Sequence, residues 1–218
     1  MKKLNLFFYC LTIIVIISCN YKEEKKLTVN ENTSGKQINT DSIELTKLIK
    51  QVYKWHNEKT LEDFPYKYHE KQDSIFVGID WDKYQDNIEY FKQTKFFSKE
   101  FLKKHKDIAT ALDTSIKRAD ISWRNINDGI PIWETGADNW CGCQDYPEKY
   151  WTMLTIDSLI INGNFADFIW TWDKSSSHNY KVIAKKEDGT WKINSLDGFK
   201  HFYTVEEYDK IMKDETVK

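Results

Sequence analysis

Glycine is scarce in this chain, with eight residues among 218. That leaves little room for a Gly-rich loop to cradle phosphates, and none is present. An excess of positive charge is missing too. Lysine and arginine number 32 against 34 aspartates and glutamates, a formal net charge of −2. Such a chain is a poor nucleic-acid binder, and no nucleic-acid partner is expected. No internal repeat is visible. The five histidines form no His-x₃-His pair, and no nucleophile motif stands out. Cysteine is sparse: four in all, two of them within the first nineteen residues. No cofactor and no metal is expected.

What is present begins with an address. Residues 1–18 read as a signal peptide: Lys2 and Lys3 form a positive start, and Leu4 to Ile17 is an almost unbroken apolar run without an acid. The run is too short and wrongly flanked for a stable membrane span. It ends in Ile16-Ile17-Ser18-Cys19, which resembles the lipobox of bacterial lipoproteins, where the cysteine becomes the lipidated N-terminus. Bulky Tyr9 before Cys10 disqualifies that cysteine. An ordinary signal peptide with an incidental cysteine is the alternative. Lipidation at Cys19 implies palmitate-type acyl chains, each buried methylene contributing roughly 0.8 kcal/mol of membrane attachment. No aspartate follows Cys19, and Lys22-Glu23-Glu24 resembles a surface-export signal. The expected location is the bacterial outer membrane, lipid-anchored, facing the periplasm or the cell surface.

Residues 19–40 read as a flexible tether, polar but for Leu27, Val29 and Ile38. Such a spacer spans on the order of 25 Å. Residues 41–218 suit a single domain with a real core. Loss of Lys2 and Lys3 with the signal takes the net charge from −2 to −4.

Asp41-Ser42 opens a helical pattern carried by Leu45, Leu48, Ile49, Val52 and Tyr53, ending between Trp55 and Glu58. Residues 59–80 show no clear periodicity. Asp82 to Thr94 predicts a second helix. Ser98 caps a third that runs to about Arg118, with Phe97 and Leu102 in hydrophobic-staple positions. From Tyr150 the character turns aromatic and β-branched. Asn162-Gly163 is a strong hairpin signal. Turns at Ser175-Ser176-Ser177-His178 and Glu187-Asp188-Gly189 separate strands at 164–172, 180–185 and 191–196. Thr204 and Glu207 have capping-box spacing for a short closing helix. Helices followed by an antiparallel meander predict an α+β fold: N-terminal helices packed on a curved sheet of about four strands.

The helix LTKLIKQVYKWH, the helical middle, the Asp-x₅-Gln-Asp loop at 138–145 and the closing strand KEDGTWKINSLD together resemble a family of uncharacterised bacterial lipoproteins with a nuclear-transport-factor-2-like, or cystatin-like, fold. The resemblance implies a long helix cupped by a bent sheet into a cone, with a cavity at its open end. It implies no activity, since that superfamily hosts enzymes, binding modules and inert scaffolds. The family often has a proline–aromatic pair where this chain has Trp140-Cys141.

Three readings stand for Cys141 and Cys143. Outside the cytoplasm a disulfide stiffening the loop is the first. Gly142 supplies the backbone freedom that the short spacing needs. A redox dithiol is the second, though no cation sits close in sequence to lower a thiol pKa. A metal half-site is the third, requiring two further ligands from His56, His69, His105, His178 or His201. The candidate pocket gathers Trp133, Trp140, Gln144, Asp145, Asp167 and His178. Trp123, Trp133 and Trp140 lie in the loop-rich stretch, where tryptophan stacks on glycans or apolar ligands but also serves as core filler. Asp167 sits in an apolar strand and either points to solvent or is held in a pocket with a raised pKa. Asp157 is the other strand carboxylate. His56 at a helix end suits the helix dipole.

The function expected first is a non-enzymatic envelope lipoprotein that binds a small molecule or a protein partner near residues 131–147. An acid–base hydrolase or isomerase is the alternative. It requires Asp167 or Asp145 within reach of His178 or a tyrosine inside a cavity. An inhibitor or immunity-type protein is the third, with an exposed aromatic patch and no deep cavity.

Overall fold

A computed structural model of the chain describes residues 31–118, 133, 136–172, 178–200, 202–204, 206, 207, 210 and 213. The signal peptide, Cys19, most of the tether, Trp123 and the serine turn at 175–177 lie outside the described residues.

Helix α1 spans Glu31–Glu58. It ends where the apolar periodicity stops, but it begins ten residues before Asp41, inside the stretch expected to be tether. Asp41 explains the difference. It does not cap a helix start; its carboxylate accepts hydrogen bonds from Trp191 Nε1 (2.9 Å) and Lys186 Nζ (2.7 Å) on the sheet. The periodic residues Leu45, Leu48, Ile49, Val52 and Tyr53 are all buried.

The irregular stretch 59–80 contains a hairpin that the sequence does not announce, β1 (Tyr66–His69) and β2 (Gln72–Ile79). Its register is broken twice by irregularities. Helices α2 (Trp81–Thr94) and α3 (Lys99–Arg118) follow. Asp80 caps α2 by accepting from Lys83 N–H at 3.2 Å. Ser98 Oγ caps α3 by accepting from Phe101 N–H at 3.0 Å, as the sequence predicts. The hairpin docks on α3 through Asp113, whose carboxylate accepts from Ile79 N–H at 2.9 Å and pairs with Lys117 at 2.7 Å. Gly78 (φ +150°) lies so close to Asp113 that any Cβ there would overlap the carboxylate.

The second half is a four-stranded antiparallel meander in the order β3 (Thr155–Asn162), β4 (Phe165–Thr171), β5 (Tyr180–Glu187), β6 (Thr190–Leu196). Tyr150–Thr152, expected to start the first strand, is instead a single 3₁₀ turn. The β3–β4 hairpin closes at the Asn162–Phe165 pair. The inner face of the four-stranded sheet carries Ala166, Phe168, Trp170, Val182, Ala184 and Ile193, which pack with α1 and α3 into one core. The β6 edge is covered. Phe97 bridges Ile193, Ser98 N–H donates to Ile193 O at 2.9 Å, and Ile193 N–H donates to Phe96 O at 2.7 Å. The capping box near the C-terminus forms both bonds. Thr204 N–H donates to Glu207 Oε2 at 2.8 Å and Glu207 N–H to Thr204 Oγ1 at 3.3 Å. The architecture is α+β, as expected. Among the described residues no helix is long and apolar enough to cross a membrane.

Candidate functional site

Cys141 and Cys143 are joined in a disulfide with Cα atoms 5.3 Å apart. Both are buried, at 0% and 6% exposure. Gly142 between them takes φ +64°, which lets the chain reverse within one residue. Asp138 closes the turn from below: its N–H donates to Cys143 O at 2.8 Å, and its O accepts from Gly142 N–H at 2.6 Å. Among the described residues no group of three His, Cys, Asp or Glu side chains could hold a metal ion.

The loop around this disulfide is tied into the core rather than set at a rim. Trp140 is 1% exposed. Its backbone N–H donates to Asp138 Oδ1 at 2.8 Å, and its indole N–H to Asp63 Oδ2 at 2.5 Å. Its carbonyl accepts from Tyr53 Oη at 2.5 Å, and Tyr53 Oη in turn accepts from Trp170 Nε1 at 3.1 Å. Tyr180 Oη donates to Asn139 O and accepts from Gly198 N–H at 2.9 Å. Helix α1 and strands β4 and β5 therefore all grip one short loop. The space expected to be a cavity lined by Trp140 is filled by Trp140 itself, against Phe97, Phe101 and Phe199.

Beneath this loop lies an ionic joint. Lys59, just past the end of α1, pairs with Asp63, and its ammonium lies 4.8 Å from the Trp140 ring centroid and 5.4 Å from those of Trp55 and Phe91. Only 4% of its side chain is exposed. His56 stacks on the Trp140 ring, centroids 4.5 Å apart, and its Nε2 lies 3.3 Å from Asp138 Oδ2. Burial alone would raise the Asp138 carboxyl. The hydrogen bond and charge of His56, the Trp140 N–H and nearby Lys59 outweigh it and hold the group below the ordinary carboxylate value.

The remaining expected site residues do not converge. Gln144 and Asp145 are exposed. Trp133 is half-buried against Phe64 and Phe199. Asp167 faces away from the core and pairs with Lys181 at 2.9 Å. Asp157 is exposed. His178 lies flat on Trp172, 4.1 Å away at 3°, and burial lowers its pKa. Neither Asp167 nor Asp145 meets His178.

Two features take on roles that the sequence reading did not give them. The first is His105, 1% exposed, whose Nδ1 lies 2.9 Å from Tyr84 Oη and whose ring stacks on Phe64. Burial pushes its pKa down to about 4. The second is a groove on the surface between α1 and α2 that continues at one end between α1 and the β5–β6 turn at Gly189 and Thr190. Three adjoining cavities of about 340, 320 and 320 Å³ run along it. The central one has an aromatic lining of Trp55, Tyr90 and Phe96, rimmed by Gln51, Lys54 and Glu58. It shares Gln51, Thr94 and Phe96 with the cavity on one side, and Glu58, Lys59 and Tyr90 with that on the other. The α1 residues Glu44, Lys47, Gln51, Lys54 and Glu58 that border it recur every three or four positions, one helical stripe about 20 Å long. That spacing was legible in the sequence, but a polar stripe on a helix reads as a solvated face until a second helix is placed beside it. No family model, curated protein or solved structure matches the chain.

Proposed function

We propose that the protein is an envelope lipoprotein, anchored through lipidated Cys19 at the outer membrane, that acts as a non-enzymatic binding module for a small molecule or protein partner. The resemblance to lipoproteins of nuclear-transport-factor-2-like fold belongs to the same reading, and the order of helices and meander is compatible with it. The α1–α2 groove carries the proposal. It is the place where aromatic side chains, Trp55 with Tyr90 at 42% exposure, meet a rim of Gln51, Lys54 and Glu58 that carries both signs of charge. An aromatic floor with a charged rim suits an extended amphipathic ligand that stacks and forms hydrogen bonds along its length. The disulfide loop supports this surface from behind, because Trp140 packs edge-on against Trp55 at 5.7 Å.

Site-specific photocrosslinking tests the reading. A benzophenone side chain at Tyr90 of the full chain, irradiated in native envelopes, is expected to give a discrete adduct. The same probe at Gln144 in the disulfide loop is expected to give none. Adducts from Gln144 alone would move the site to the loop, and the groove would be rejected.

A further inference from the structure

The two edges of the main sheet are treated differently. The β6 edge is occupied by the Phe96–Ser98 segment. The β3 edge carries no backbone partner among the described residues, and every interaction of residues 155–162 lies within the sheet and core already given. Because Asn162 and Phe165 close a two-residue hairpin, Ile160 and Asn162 exchange their bonds with β4, while Leu159 and Ile161 point N–H and C=O outward. The bond from Lys186 N–H to Asn164 O at 2.7 Å sets the same alternation on the β5 side of β4.

This open edge is apolar. Ile160 is 67% exposed on the outer face beside Phe165, itself 46% exposed. Leu159 and Ile161 on the inner face are only partly covered by the core. Natural edges are blunted by lysine, proline or bulges. Here the edge strand carries one charge, Asp157, at the irregularity between Ile156 and Ser158.

We propose that β3 pairs antiparallel with β3 of a second copy of this chain, about a two-fold axis at Ile160, joining the two sheets into one. The sequence Ser158-Leu159-Ile160-Ile161-Asn162 is self-complementary about that centre. Ile160 meets its own copy on the outer face with Cβ atoms about 5 Å apart. Leu159 meets the copy of Ile161, and their outward N–H and C=O groups satisfy one another. Ser158 meets the copy of Asn162, polar against polar. The two Asp157 carboxylates fall about 20 Å apart along the strands, so no like charges oppose. Shifting the axis by one residue to Leu159 sets Asp157 against Ile161 and Ser158 against Ile160. The pairing lies across the sheet from the α1–α2 groove and stands whether or not that groove binds a ligand.

The test uses the full chain extracted in mild detergent. Sedimentation is expected to give a dimer mass. Ile160→Lys places like charges at the axis and is expected to halve that mass while leaving the far-UV circular dichroism spectrum unchanged, since the side chain is exposed on the single chain. Ile160→Cys, treated with copper–phenanthroline as oxidant, is expected to run as a covalent dimer on a non-reducing gel, and Asp157→Cys as a monomer. A wild-type monomer, an Ile160→Lys dimer, or equal crosslinking from positions 157 and 160 would overturn the proposal.

Discussion

Trp140 and His105 show what single buried side chains do here. Trp140 fills the centre of the core end and satisfies Asp63, Asp138 and Tyr53 at once. Trp140→Ala leaves a cavity and removes the indole donor from Asp63, while the backbone bonds to Asp138 and Tyr53 remain, and should cost about 3–5 kcal/mol in urea unfolding. His105 makes stability depend on pH. Its folded pKa is about 4, against 6.5 for an ordinary histidine, so the unfolded chain binds the extra proton between those values. Its contribution is full above pH 6.5 and is lost as pH falls toward 4, on the order of 3 kcal/mol in total. Melting temperature should therefore drop through that window, and His105→Leu should flatten the drop. An unchanged pH slope in that variant would assign the acid sensitivity to other groups.

At the scale of elements, the disulfide closes a very small loop. Chain-entropy reasoning gives it about 1.6 kcal/mol. The Trp140 contacts exceed this, so the double substitution Cys141→Ala and Cys143→Ala should be milder than Trp140→Ala and leave the fold intact by circular dichroism. A larger loss than that from Trp140→Ala would make the disulfide the principal clamp. The helices and the meander were legible in the sequence because their signals are local: apolar spacing from Leu45 to Tyr53, the Ser98 cap, the Asn162-Gly163 turn. The β1–β2 hairpin was not. Tyr66 to His69 is polar, the turn at Glu70-Lys71 lacks glycine, and the hairpin is held by a distant Asp113. The start of α1 was hidden because Asp41 looks like a cap but is bound to a strand some 150 residues on. The role of the Asp138–Cys143 loop was invisible for the same reason. Tyr53, Asp63, Trp170 and Tyr180 reach it from all parts of the chain, and no local pattern tells a core tryptophan from one at a rim.

At the scale of the whole molecule, the loop that attracts notice in the sequence is held in the core through Trp140 and the disulfide, and the surface proposed for recognition is the groove between α1 and α2. Native mass spectrometry of the full chain, isolated from its native cells, tests that division most directly. The account predicts a retained mass on the wild-type chain that is lost from the Gln51→Arg, Thr94→Arg variant, which fills the groove, and kept in Gln144→Ala. A bound mass that survives the groove variant and disappears with Gln144→Ala would contradict it.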